Sequence, residues 1–172
     1  MRIAHVHQEY YPQMGGVAVL MKELCEGLAK KGFEVTVYTV DLKEGLANKE
    51  QLNGVLIKRY KPILEDPTYC PSMSFLRDLK NQKVDALHVH NIHSFPATFA
   101  SSLKKRSQKL VVQPHYHQFG QTPLRNALFT LYKRAISNVV FKRADAVIVN
   151  SPYEEKAVKQ DFADARNVIK LT

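Results

Sequence analysis

Tryptophan is missing from this chain, cysteine occurs twice and glycine seven times in 172 residues, and each scarcity excludes something. Cys25 and Cys70 have no partner at metal-ligand spacing and no disulfide framework around them, so they read as reduced thiols of a cytosolic protein. The few glycines form neither Gly-x-Gly-x-x-Gly nor Gly-Lys-Ser/Thr, which disfavours a dinucleotide fingerprint and excludes a P-loop. No apolar run approaches the roughly 20 residues that cross a bilayer. The opening Met1-Arg-Ile-Ala-His-Val-His7 is too short and polar for a signal peptide. Acid is scarce too. Positions 86–144 hold no Asp or Glu but nine basic residues: Lys104, Lys105, Arg106, Lys109, Arg125, Lys133, Arg134, Lys142 and Arg143. The whole chain carries 25 basic against 16 acidic residues, a net +9 that calls for an anionic partner. Nucleic acid suits the charge, but no groove-reading or single-strand-binding motif accompanies it.

What is present is an alternation of two periodicities. Strand-like runs fall at Ile3–His7, Glu34–Val40, Val55–Tyr60, Ala86–His90, Lys109–Gln113, Ala146–Asn150 and Val168–Leu171. Helical spacing fills Val17–Lys31, Ser72–Asn81, Phe95–Arg106, Pro123–Arg143 and Pro152–Phe162. Asn53-Gly54 marks a turn. Strands alternating with helices predict an α/β fold, a doubly wound parallel sheet covered on both faces. The chain closes directly on its last strand, which reads as a domain boundary, so residues 1–172 are expected to form one domain.

The seven histidines fall into three groups: His5 and His7; His88, His90 and His93; His115 and His117. Each group lies at or just past the C-terminal end of an expected parallel strand, the edge where open α/β sheets bind ligands. Residues two apart on a strand share a face, so each His-x-His pair offers a two-pronged polar surface. His5 and His88, within strands, are expected to be buried and bonded to backbone carbonyls. A zinc site is disfavoured because no carboxylate is at hand to complete a second shell. His90, His93, His115 and His117 are expected to meet an anionic or hydroxyl-rich ligand. Gly15-Gly16 sits between the first strand and its helix, where bare backbone and a helix N-terminus can approach that ligand. The 124–143 helix pairs an apolar stripe with basic residues and is expected to turn its basic rim toward lipid phosphates.

In their order, these pieces resemble the N-terminal domain of glycosyltransferase family 4, the retaining enzymes of GT-B fold. The matching elements are Tyr11-Pro-Gln-Met-Gly-Gly-Val17, Asp85-Ala-Leu-His-Val-His90-Asn, Pro114-His115-Tyr-His117-Gln, Arg143-Ala-Asp-Ala-Val-Ile-Val-Asn-Ser151 and the closing Val168-Ile-Lys-Leu171. The resemblance implies a Rossmann-like acceptor-side lobe, with a C-terminal, donor-holding domain absent from these residues. It implies that Gly15 and Gly16 reach the donor diphosphate or the acceptor, that His90 faces the acceptor, and that His115 lines the cleft centre as the catalytic-site histidine. His117 lies next to it, and Arg125 stands as a cleft-side or membrane-side cation. It also implies a nucleotide-sugar donor used as substrate, no metal and no cofactor, and a saccharide or lipid-linked acceptor. The expected place is the cytoplasm, peripheral on the inner face of the membrane, and the isolated chain is expected to be inactive. Two rivals of other classes remain: a non-catalytic α/β binding or regulatory domain, and a histidine-rich metal-dependent hydrolase.

Overall fold

Arg2–His7 (β1) opens the chain at the middle of what becomes an eight-stranded sheet. The computed structural model describes residues 1–13, 15–40, 45–64, 70–118, 132–133 and 138–171. Gly16–Lys30 (α1) leads to Glu34–Val40 (β2), then Lys49–Leu52 (β3) and Val55–Tyr60 (β4) form a hairpin. Met73–Asn81 (α2) crosses to Ala86–His90 (β5), followed by Phe95–Leu103 (α3) and Lys109–Gln113 (β6). Asn138–Arg143 (α4), Ala146–Val149 (β7), Pro152–Asp161 (α5) and Val168–Lys170 (β8) complete the order. The strands lie β3-β4-β2-β1-β5-β6-β7-β8, all neighbours parallel except β3 with β4. This is the Rossmann-like sheet the alternation predicts.

The helix starts follow local chemistry. Ser72 caps α2 by accepting the Phe75 amide, and Ser151 caps α5 by accepting the Glu154 amide at 3.1 Å, with Pro152 preset for the first turn. β3 escapes a sequence reading because Lys-Glu-Gln-Leu has no β-branched residue. It is held as an edge strand by Asn53 (φ 49°) and Gly54 (φ 83°), the two left-handed residues of a tight hairpin turn.

Alternating residues of the strands serve two cores. Val6, Leu87, Val89, Leu110, Val112, Val147 and Val149 meet α2, α3, α4 and α5 through Phe75, Ala97, Phe141 and Val158. On the other face α1 sets Met21 and Cys25 against Val35, Val37, Val55 and Ile57. Burying each such large side chain contributes about 2 kcal/mol. The chain winds outward from β1 through β2 to β4, then returns and winds the other way from β5. The switch point therefore lies between β1 and β5, at the strand ends that carry His7 and His90.

Candidate functional site

Parallel register places His5 beside His88 across β1 and β5, so the histidines of two strands share one sheet face. The rings then stack inward from the cleft edge: His90 to His115 at 5.7 Å between centroids, His88 to His90 at 4.2 Å and His5 to His88 at 4.9 Å. His5 Nδ1 lies 3.1 Å from His90 Nε2, and His90 Nδ1 lies 3.5 Å from His115 Nε2. His5 is buried as expected, but its partner is a histidine ring and not a backbone carbonyl. His88 is likewise buried, and its Nε2 has no hydrogen-bond partner among the described residues. Both corrections have one cause: strand carbonyls are consumed by the ladder, which leaves inward-facing rings to one another.

The far end of this chain is fixed by a residue that the sequence reading passed over. Glu154 is buried, and its two carboxylate oxygens accept the amides of Tyr116 (2.7 Å) and Asn150 (2.7 Å). Asn150 Nδ2 points at the same carboxylate at 3.2 Å and at His115 Nδ1 at 3.4 Å. Its Oδ1 accepts from Gln113 Nε2 at 2.7 Å. Since a carboxylate only accepts, the amide orientation of Asn150 follows, and the ring tautomers follow from it. His115 accepts at Nδ1 and donates from Nε2 to His90, and His90 donates from Nε2 to His5. The signal for Glu154 was in the sequence: Ser151-Pro-Tyr-Glu154 has the spacing of a capping box.

Burial holds these rings neutral. It lowers His5 to about 4 and His7 to about 4, and moves His88 and His90 well below the ordinary range, with neighbouring histidines adding to the effect. Burial also lowers His115, while Glu154 pulls it back upward. His115 is half-buried in a left-handed backbone conformation, φ 49°, and Asn91 just after β5 has φ 59°. Such non-glycine outliers concentrate where a structure holds a side chain in place for use.

The expected site residues divide by depth. His115 borders the edge, His117 is exposed beside His93 with ring centroids 5.4 Å apart, and His90 is fully buried one layer beneath His115. Gly15 caps α1 and is half-buried; a side chain there would come within 3.2 Å of Glu9 Oε2, whereas Gly16 is exposed with open space around it. Arg125 lies outside the described residues, as does most of the expected 123–143 helix. At the same strand ends His7 Nε2, Gln8 Oε1 and Thr39 Oγ1 are buried with no hydrogen-bond partner among the described residues. Gln8 and Thr39 gave no sequence signal because single polar residues at strand ends are common. Buried polar atoms of this kind ask for a partner from a ligand or ordered water.

His5, His88 and His90 each place one ring nitrogen within 4.8 Å of the others, so among the described residues they are the group able to hold a metal ion. A metal there would compete with the His5–His90 hydrogen bond for a ring nitrogen. Part of the basic tract lies elsewhere. Lys104, Lys105, Arg106, Lys142 and Arg143 border a cavity of about 290 Å³ at the N-terminal strand edge, opposite the histidines. Asp145 there pairs with Lys104 at 2.9 Å and Lys109 at 3.2 Å. No helix among the described residues is long and apolar enough to cross a membrane.

Comparison with known proteins agrees with this fold. Residues 14–169 match the model of Glycosyltransferase Family 4. An uncharacterized glycosyltransferase of Methanocaldococcus jannaschii is 34% identical over 99 residues, covering 53% of this chain and 25% of that protein. O-antigen chain mannosyltransferase C of Escherichia coli is 25% identical over 158 residues, covering 88% of this chain and 40% of that protein. The matches thus span well under half the length of these relatives. Two solved structures of sucrose-phosphate synthase from Thermosynechococcus elongatus share the fold. One has TM-score 0.67 and 16% identity over 99% of this chain and 87% of that one. The other has TM-score 0.71 and 15% identity over 98% and 47%.

Proposed function

This chain belongs to glycosyltransferase family 4, and from that premise we propose that it forms the acceptor-side lobe of a retaining enzyme that moves a hexose from a nucleotide-sugar to a saccharide or lipid-linked acceptor. The observation that carries the reading is the set of buried polar atoms on His7, Gln8 and Thr39 that have no partner among the described residues, on the same strand-end edge as Gly15-Gly16 and His115. These groups suit hydroxyls, which donate and accept, better than a metal or a bare anion. The mannosyltransferase relative, named for an O-antigen chain, supports a saccharide acceptor.

In this reading Gly15 and Gly16 let backbone and the α1 N-terminus approach the diphosphate or acceptor. His115 is a neutral ring whose two nitrogens are engaged by Asn150 and His90. It therefore shapes the cleft centre and steadies charge there as part of a preorganised polar wall. His90 acts through His115 as a positioning residue. His117 and Arg125 are proposed as outer contacts to the substrates. A nucleotide-sugar is substrate here, and neither metal nor cofactor is invoked. The donor-holding domain lies outside these 172 residues, so the chain alone is expected to bind acceptor weakly and not turn over.

The test is a titration of the isotope-labelled chain with acceptor saccharides, together with a transfer assay. Amide shifts concentrated at Gly15, Gly16, Thr39 and His115 without turnover support the reading. Steady transfer by these residues alone, or shifts confined to the opposite strand edge, would sink it.

A further inference from the structure

Glu9 is fixed where β1 gives way to the glycine loop. Its backbone is clipped to the buried His7 ring, whose Nδ1 lies 2.8 Å from Glu9 O and 3.1 Å from Glu9 N. Its carboxylate reaches across to the start of α1: Oε2 lies 3.2 Å from the point where a side chain on Gly15 would begin. Gly15 caps α1 without a side-chain bond, and the first turn of α1 has no acid of its own. The leading amides of a helix have no acceptor within it. Beside them the Glu9 carboxylate has no ion-pair partner among the described residues. Two cations of neighbouring elements are already taken, Lys22 by Glu26 at 2.8 Å and Arg59 by Glu50 at 2.6 Å. The four positions that follow β2, Asp41-Leu-Lys-Glu44, bring no net positive charge.

A carboxylate accepts hydrogen bonds and donates none. Beside a helix N-terminus it takes the place that suits an anion, and it repels a second one. A neutral sugar meets the same ground differently, because one hydroxyl can donate to the carboxylate while its oxygen accepts a helix amide. The buried polar atoms of His7, Gln8 and Thr39 suit further hydroxyls, and Thr39 lies beside His7 in the sheet register. We propose that Glu9 is the specificity-determining residue of this edge: its carboxylate binds hydroxyls of an uncharged sugar and keeps phosphate away from Gly15, Gly16 and the α1 amides. The inference rests on the proposed function and deepens it. It assigns the glycine loop to the acceptor saccharide and not to the donor diphosphate, whose charge then falls to groups outside this loop.

The experiment titrates the isotope-labelled chain separately with methyl α-mannoside and with inorganic pyrophosphate, following the amides of Gly15, Gly16 and Val17. The unaltered chain should respond to the mannoside and not to pyrophosphate. Glu9→Gln keeps the shape and removes the charge. Mannoside affinity should then fall about tenfold, the contribution of one hydrogen bond to a charged group. Pyrophosphate should now shift the same amides, and less so as salt rises. Glu9→Asp, which keeps the charge, should still exclude pyrophosphate. Glu23→Gln, an equal charge change at an exposed position of α1, should alter neither response. An unchanged melting temperature shows that each variant folds. Pyrophosphate shifts in the unaltered chain as large as in Glu9→Gln, none in Glu9→Gln, or an equal gain with Glu23→Gln overturns the proposal. So does mannoside binding that Glu9→Gln leaves unchanged. The pyrophosphate arm involves no acceptor, so the two readings fail separately. A mannoside without effect at this edge sinks the acceptor reading and the hydroxyl half of the proposal, while pyrophosphate binding by Glu9→Gln alone still upholds the exclusion of phosphate.

Discussion

One side-chain amide, Asn150 Nδ2, lies 3.2 Å from Glu154 Oε2 and 3.4 Å from His115 Nδ1, which makes a helix-capping glutamate the reference point for the tautomers of the histidine stack. The direction of every hydrogen bond inward to His5 follows from it. Long-range proton–nitrogen spectra should therefore find His115, His90 and His5 protonated at Nε2. An Nδ1-protonated His115 would refute the assignment.

Glu154→Ala removes the acceptor of the buried Tyr116 amide and of the part-buried Asn150 amide. Leaving them unsatisfied should cost about 2–4 kcal/mol, measured by urea unfolding. Glu154→Gln, which keeps one carbonyl oxygen, should cost less. Equal losses would mean that the carboxylate matters only for shape.

His115 holds φ 49° without being glycine. Replacing it with glycine should relieve about 1 kcal/mol of backbone strain relative to His115→Ala, a difference visible in paired melting curves. If alanine is the more stable of the two, the left-handed conformation is not strained in this loop.

Acid should unfold the protein early. Burial holds His5 and His7 at about 4, against 6.5 in an unfolded chain. Above that ordinary value neither state is protonated, and the stabilisation is complete. Below it the unfolded chain takes up protons that the folded rings refuse. Stability is therefore lost as pH falls from about 6.5 to about 4, where the folded rings titrate too. Each of these two rings contributes about 3 kcal/mol over the full window, and His88 and His90 act in the same direction. Urea midpoints recorded across that window should fall steeply; a flat profile would show the rings to be hydrated.

Gly16 begins α1 with open space around it. Gly16→Ala should raise stability by up to about 1 kcal/mol. If the loop approaches a ligand as proposed, the same change should weaken acceptor binding in the saccharide titration. Unchanged binding would remove Gly16 from the site.

Much of the fold was legible in the chain because its signals are local. Seven of the eight strands follow from periodicity, and the three histidine groups mark the strand ends. β3 was not legible, since a polar edge strand buries too little to need an apolar pattern. Partnership among the site residues was not legible either. His5 meets His90 across 85 positions, and Glu154 reaches Tyr116 across 38. Those contacts depend on strand order and register, which long-range pairing decides. By itself the amino-acid sequence determined most of the elements and set the histidine groups at one sheet edge. Only tertiary structure decided which histidines are buried and which atom each one offers.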